Sequence, residues 1–261
     1  MKKQLFVLIA LLVSAEISAQ VKIIAHRGAS YIAPENTIAA SKLAWSLKAD
    51  AVETDIYLTK DNKVICSHDG TTKRTTGQDL KISETPYSVL ADLDAGSWKS
   101  AEYKGEKLPL LEDLIRVMPK GKELVVEIKC GPEVLPFLKK IIDKYKKNRS
   151  FTFIAFDLKT ITETKKTFPS NPCYWLCSNK ELLAQNFGAI APANLEGLSL
   201  SWNIIDADVM KKAESMNLEV YTWTVDNPDE AKRLVSLGVK GITTNRPGWL
   251  EEQTGISKPV K

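Results

Sequence analysis

The chain holds only two histidines in 261 residues, His26 and His68, and both fall in one stretch from Val21 to Asp69 that also carries Glu53, Asp55 and Arg27. Imidazole titrates near neutral pH, so two rings can take opposite protonation states, one removing a proton while the other delivers one. Glu53 and Asp55 are two residues apart, and at the period of a strand both carboxylates point to one face, where they could grip a single cation. Farther along, Glu127 and Lys129 are again two residues apart. Three carboxylates, Glu53, Asp55 and Glu127, supply hard oxygen ligands that suit Mg²⁺ or Ca²⁺. Arg27 offers the planar fork that matches a phosphate, and Lys129 a point charge. The bland alternative is that one of these acids simply pairs with Arg27 or Lys129. Such a set could neutralise charge on an anionic group, take a proton from an attacking hydroxyl and give one to a leaving oxygen.

Such a site works only if distant segments converge, so the positioning elements matter. His26 follows the apolar run Val21 to Ala25, Glu53 and Asp55 lie inside the strand-like Ala51 to Leu58, and His68 ends the short run Val64 to Ser67. Pro34-Glu35-Asn36-Thr37 opens a helical pattern to about Leu47, with Asn36 or Thr37 as cap. Glu35 and Asn36 read as braces of that first loop rather than as ligands. From Leu124 onward strand-like runs start every 22 to 27 residues, at Leu124, Phe151, Cys173, Gly197, Glu219 and Gly241, with helical patterns such as 132–147, 158–168, 206–216 and 229–237 between them. With the runs at Val21 and Ala51 this makes eight strands alternating with helices, in a chain near the ~250 residues of a (β/α)₈ TIM barrel. A doubly wound open sheet would favour a glycine-rich phosphate loop after the first strand, and Gly28-Ala29-Ser30 is not one. In a closed parallel barrel the strand ends meet on one face, which gathers His26, Glu53, Asp55, His68, Glu127, Lys129 and Trp223. Residues from about 70 to 107 are polar and lack a long apolar strand. They read as an insertion after the second strand region, at the mouth of the site, with Tyr87, Trp98 and Tyr103 for some packing of its own.

The set His26-Arg27-Gly28, Pro34-Glu35-Asn36-Thr37, Glu53-Thr54-Asp55, His68-Asp69-Gly70, Glu127-Ile128-Lys129, Trp223-Thr224-Val225 and Gly238 to Ile242 resembles, in order and spacing, the glycerophosphodiester phosphodiesterase family, exported bacterial type. The resemblance implies a divalent metal on the matching carboxylates. It implies attack of the glycerol 2-hydroxyl on phosphorus, expulsion of the alcohol, and opening of a cyclic phosphate to glycerol 3-phosphate. His26 is assigned as base and His68 as acid, an order the sequence does not fix. Trp223 and Trp202 are candidates for an apolar wall against the glycerol carbons, core packing being nearly as good a reading of each. Asn245 departs from the family, which often has aspartate there. The competing functions are a metal-independent phospholipase of the phosphatidylinositol-cleaving type, which leaves the three acids poorly explained, and a non-catalytic barrel that binds a phosphorylated polyol.

Composition adds an address and some exclusions. Lys2 and Lys3, an apolar run from Leu5 to Val13 and small residues ending at Ala19 read as a secretory signal over residues 1–19, leaving 20–261 as a single exported domain, periplasmic or secreted. The apolar run is too short to span a bilayer, so stable membrane insertion is not expected. A net charge of +4 is too small and dispersed to argue for nucleic acid or a membrane surface, and the lysines near 139–147 read as a solvated helix face. Of the four cysteines, Cys173 and Cys177 sit about 13 Å apart if extended, beyond disulfide reach. Buried free thiols are expected at all four positions. The small-molecule partner is a glycerophosphodiester; oligomeric state leaves no mark in the sequence.

Overall fold

A computed structural model describes residues 21–256; the expected signal segment lies outside the described residues. Nine strands form one sheet: β1 Lys22–Ala25, β2 Ala51–Leu58, β3 Val64–Cys66, β4 Glu123–Ile128, β5 Ser150–Ala155, β6 Cys173–Cys177, β7 Gly197–Ser201, β8 Glu219–Trp223 and β9 Gly241–Thr244. Eight of them run parallel in the order β1-β9-β8-β7-β6-β5-β4-β2, and β1 pairs with β2 to close the ring. The short run at Val64 is the ninth strand. It pairs antiparallel with the far end of β2, Ile56 opposite Cys66, and stands outside the barrel. The (β/α)₈ barrel read from the sequence is therefore the fold, its eight strands being the eight apolar runs.

Helices α1 Ile38–Ser46, α4 Leu111–Val117, α5 Leu135–Tyr145, α6 Leu158–Thr167, α7 Lys180–Ile190, α8 Ala207–Ser215, α9 Pro228–Ser236 and α10 Pro247–Thr254 cover the outside, and the short α2 Lys73–Thr76 and α3 Tyr87–Leu90 belong to the insertion. Local chemistry starts them where the sequence does. Thr37, Asp157, Asn179, Asp206 and Asn227 each cap the helix that follows with a side-chain oxygen, satisfying donors that the first turn leaves without partners.

Strand periodicity splits the apolar residues into two cores. Outward residues such as Ile23, Val52, Val126, Phe153, Trp175, Leu198 and Val220 pack with the helices. Inward residues Ile24, Ala51, Val125, Ile154, Tyr174, Leu176 and Tyr221 fill the barrel itself. Tyr174 and Tyr221 stack at 4.6 Å between centroids and, with the Lys22–Glu123 pair at 2.7 Å, close the lower end. The upper, C-terminal end is left for chemistry.

The segment between β3 and α4 carries a small core of its own, Ile65, Ile82, Leu90, Leu93, Ala95 and Leu108, against which Tyr57 and Tyr87 pack. The expectation that Trp98 helps pack this insertion is corrected: its indole N–H donates to the Ala95 carbonyl at 2.9 Å, yet the ring is 40% exposed. All four cysteines are free; Cys66, Cys173 and Cys177 are buried, whereas Cys130 is only half-buried. Lys139, Lys144 and Lys146 sit on the outer face of α5, paired with Asp143 or Glu112.

Candidate active site

A sharp turn after β1 starts the site. Arg27 and Gly28 both have left-handed backbones, φ 55° and 83°, and a Cβ on Gly28 would lie 2.6 Å from the Ala40 carbonyl carbon, so only glycine lets α1 approach this closely. The turn aims the Arg27 backbone N–H at Glu53 Oε2, 2.8 Å away. Asn36, also left-handed at φ 58°, reaches Asp55 from the other side. Its amide donates to Asp55 Oδ2 at 2.8 Å, and its carbonyl accepts from Thr54 Oγ1 and the Asp55 N–H. Asn36 is thus a brace, as its place in the sequence suggests.

Register then assembles the acids. Asp55 on β2 lies opposite Glu127 on the parallel neighbour β4, and Glu53 opposite Val125. Glu53, Asp55 and Glu127 are all buried, and one oxygen from each falls within 4.8 Å of the others. Glu53 Oε1 and Asp55 Oδ1 are buried with no hydrogen-bond partner. Burial, compounded by Asp55 and Glu127, pushes the Glu53 carboxyl well above its ordinary value. Burial, then the charge of Asp55, pushes Glu127 up to about 7 despite Lys129 at 2.8 Å. Three crowded acids with unpartnered oxygens are costly unless something positive binds them. Oxygen-only donors in such a cluster fit Mg²⁺ or Ca²⁺.

Around this cluster lies a cavity of about 140 Å³ lined by His26, Arg27, Glu53, His68, Glu127 and Lys129 on one side and by Ile154, Phe156, Leu176, Ser199 and Trp223 on the other. The two imidazoles share it. Burial of the His26 ring, then the Arg27 charge, lowers its pKa to about 4. Its Nδ1 stands 2.8 Å from Asn245 Oδ1. His68 Nδ1 stands 2.6 Å from Asp69 Oδ1. Burial pushes the Asp69 carboxyl up, but hydrogen bonds from Arg74 and His68 hold it below the ordinary carboxylate value. Arg27 Nη1 binds Glu35 at 2.9 Å and its Nε approaches Asp55 at 3.3 Å. Lys129 bridges Glu127 and, at 3.7 Å, Asp55.

The family model for glycerophosphoryl diester phosphodiesterases matches residues 26–249, a span that takes in every residue of this pocket. The chain belongs to that family. A glycerophosphodiester phosphodiesterase of Caldanaerobacter subterraneus subsp. tengcongensis is 31% identical over 240 residues, covering 87% of this chain and 95% of the relative. One from Bacillus subtilis is 27% identical over 244 residues, covering 86% and 83%. Among solved structures, an Oleispira antarctica phosphodiesterase in complex with the product sn-glycerol-3-phosphate superposes with a TM-score of 0.81 at 26% identity, over 90% of this chain and 96% of that one.

In this family member the sequence-derived residues His26, Arg27, Glu53, His68, Glu127, Lys129 and Trp223 all meet at one cavity, with Asp55 clustered against Glu53 and Glu127. Trp223 forms part of the apolar wall, its ring edge-on to Phe156 at 5.4 Å and its N–H on the Ser199 carbonyl. Trp202 does not share that wall. It lines a separate, larger depression with Asp226, Asn227 and Arg233, because β7 ends at Ser201 and the chain turns outward there.

Sequence reasoning missed Phe156, Asp226 and Arg74. Phe156 follows β5 by one residue and was detectable by the same strand-end rule. Arg74 sits on a four-residue helix of the insertion and had no signal. It binds Asp69 Oδ2 at 2.7 Å and both Glu35 oxygens at 2.8 Å. Burial works against the Glu35 charge, but Arg74 and Arg27 together hold its carboxyl down at about 2. Glu35 therefore braces the first loop, as expected, and also ties it to the insertion.

Proposed function

We propose that this protein hydrolyses glycerophosphodiesters to glycerol 3-phosphate and an alcohol, with a divalent cation held by Glu53, Asp55 and Glu127. The observation that carries the reading is the cluster of three buried carboxylates, two with unpartnered oxygens, in a cavity that both imidazoles enter. A Mg²⁺ or Ca²⁺ ion bound there supplies neutralisation of the charge on the phosphate's non-bridging oxygens.

The chain's own groups do the rest. Arg27 and Lys129 present cationic N–H groups to the phosphate from the cavity wall, and Trp223 with Phe156 offers an apolar surface to the glycerol carbons. His26 acts as base. Asp226 is a carboxylate and can only accept, so it takes the Asn245 amide at 2.6 Å; Asn245 therefore turns its oxygen to His26, whose Nδ1 donates. The other ring nitrogen, Nε2, is left to accept the proton of the glycerol 2-hydroxyl. That oxygen forms a bond to phosphorus as the bond to the alcohol oxygen breaks. His68, held through Nδ1 by Asp69, delivers the proton from Nε2 to the departing oxygen. In the second step water bonds to the phosphorus of the cyclic phosphate as the bond to the glycerol 2-oxygen breaks; the now neutral His68 takes the water's proton, and protonated His26 returns one to the departing 2-oxygen.

The test is to incubate the purified protein with glycerophosphocholine, glycerophosphoethanolamine, glycerophosphoglycerol and glycerophosphoinositol, each with Mg²⁺, Ca²⁺ or chelator, and to measure glycerol 3-phosphate. Release that needs metal and is lost in a folded His68→Ala variant supports the reading. Undiminished release in chelator, or from that variant, overturns it.

A further inference from the structure

Among the described residues, the exposed large hydrophobic side chains gather toward one end of this barrel. Among the described residues, every one of them lies either on a segment leaving the C-terminal end of a barrel strand or on the insertion, the face where the cavity opens. Four of them come together beside the first loop. Tyr31 and Ile32, 57% and 52% exposed, project from the turn after β1, Trp98 from the insertion, and Trp249 from the first turn of α10.

Polar contacts hold these three segments as one surface. The Tyr31 N–H donates to the Asn245 carbonyl at 3.2 Å, and Lys99 Nζ donates to the Ser30 carbonyl at 2.7 Å. The Arg246 guanidinium lies over the Tyr31 ring at 3.5 Å and the Trp249 ring at 5.0 Å, and Lys99 lies over Trp98 at 5.7 Å. Neither cation joins a salt bridge among the described residues, so the patch is aromatic and positively charged at once. Between Tyr31, Ile32, Leu47, Arg246 and Trp249 it hollows into an apolar slot of about 220 Å³.

We propose that this patch docks the protein onto an anionic lipid surface, so that the catalytic cavity opens against the headgroup layer. Tryptophan and tyrosine rings settle at the boundary between hydrocarbon and water, where one end is apolar and the other wet. Arg246 and Lys99, which have no carboxylate partner among the described residues, are drawn to acidic headgroups. A patch that is aromatic and cationic at once matches a boundary that is apolar on one side and anionic on the other. The chain's overall charge of +4 is silent on this because the feature is local. The geometry places the docked surface next to the base: Asn245 lies between Arg246, in the patch, and His26. The inference is independent of turnover, since it concerns where the molecule sits.

The test is flotation of the full protein with vesicles of phosphatidylglycerol and phosphatidylcholine, or of phosphatidylcholine alone, at low and high salt, alongside turnover of a water-soluble glycerophosphodiester. Wild type is expected to float with the anionic vesicles and to release them as salt rises. Trp98→Ala with Trp249→Ala, and separately Lys99→Gln with Arg246→Gln, should each weaken flotation by about tenfold or more, with unchanged melting temperature and unchanged soluble turnover. Equal flotation of wild type and both variants, or of wild type with neutral and anionic vesicles, overturns the proposal. So does a wild-type dimer in sedimentation that the tryptophan pair abolishes, which would make the patch an interface between two copies. If soluble turnover is absent in wild type, the functional reading fails while flotation still decides the docking.

Discussion

Asn245 Oδ1 lies 2.8 Å from His26 Nδ1 while the same amide's nitrogen lies 2.6 Å from Asp226 Oδ2. An amide thus stands between the His26 imidazole and the Asp226 carboxylate, and Ser30 Oγ donates to the same Asn245 oxygen at 2.9 Å. Burial, then the Arg27 charge, holds the His26 pKa down at about 4, although the bond to Asn245 favours the protonated ring. The proposed base is therefore free of its proton well below neutrality.

Replacing Asn245 by Asp should move that limit. A carboxylate beside the ring favours the imidazolium, so the acid limb of the kcat/KM profile should shift to higher pH than in wild type. Asn245→Leu removes the orientation instead, and kcat should fall by about 10- to 100-fold with little change in KM. A pH–rate profile of the two variants checks both; an unmoved acid limb in Asn245→Asp would contradict the account of His26.

Arg74 connects His68 and Arg27 through Asp69 and Glu35. Arg74→Ala should lower kcat by about tenfold or more, and Arg74→Lys should recover only part of it, since an ammonium cannot form the two-oxygen contact with Glu35 and reach Asp69 together. Steady-state kinetics of the pair, with melting curves to show intact folds, tests this.

The acid cluster sets an opposed pH dependence of stability. Folded Glu127 holds its proton to about 7, against 4.5 in the unfolded chain, so in chelator the unfolded state loses that proton first and stability falls as pH rises across this window. His26 acts with the other sign: folded at about 4 against 6.5, it costs stability as pH falls through its window. The difference between wild type and Glu127→Gln isolates the carboxyl. In chelator at pH 8 the Gln variant should be the more stable by on the order of 1 kcal/mol, and added Mg²⁺ or Ca²⁺ should raise the melting temperature of wild type far more than that of the variant.

Gly28→Ala should destabilise the fold by about 2 to 4 kcal/mol, because the left-handed backbone and the 2.6 Å approach to Ala40 must both give way. Chemical denaturation measures it.

How much of this was legible beforehand follows from how each part is encoded. The barrel was written in short apolar runs at even spacing, and each strand-end acid or base could be read because a parallel barrel brings all its upper ends together. The pairing of Asp55 with Glu127 is a consequence of strand register and needed only the closed ring. Arg74, Asp226 and the aromatic patch were not legible. Each depends on loop conformations set by tertiary contacts, such as the Lys99 bond to Ser30, for which the chain carries no periodic signal. Trp98 was misread for the same reason: a tryptophan in a polar segment suggests packing, and here its polar edge is anchored while its face stays in solvent. Trp202 was placed by a strand end that turns outward one residue too early.

The central claim is tested most directly by a crystal structure of the protein soaked with Mn²⁺ and glycerol 3-phosphate, using anomalous scattering to place the metal. The account predicts one strong peak about 2.0 to 2.6 Å from oxygens of Glu53, Asp55 and Glu127, with a phosphate oxygen in its shell and the rings of His26 and His68 facing the phosphate from different sides. A peak away from these three carboxylates, or a phosphate seated beyond reach of either imidazole, would contradict it.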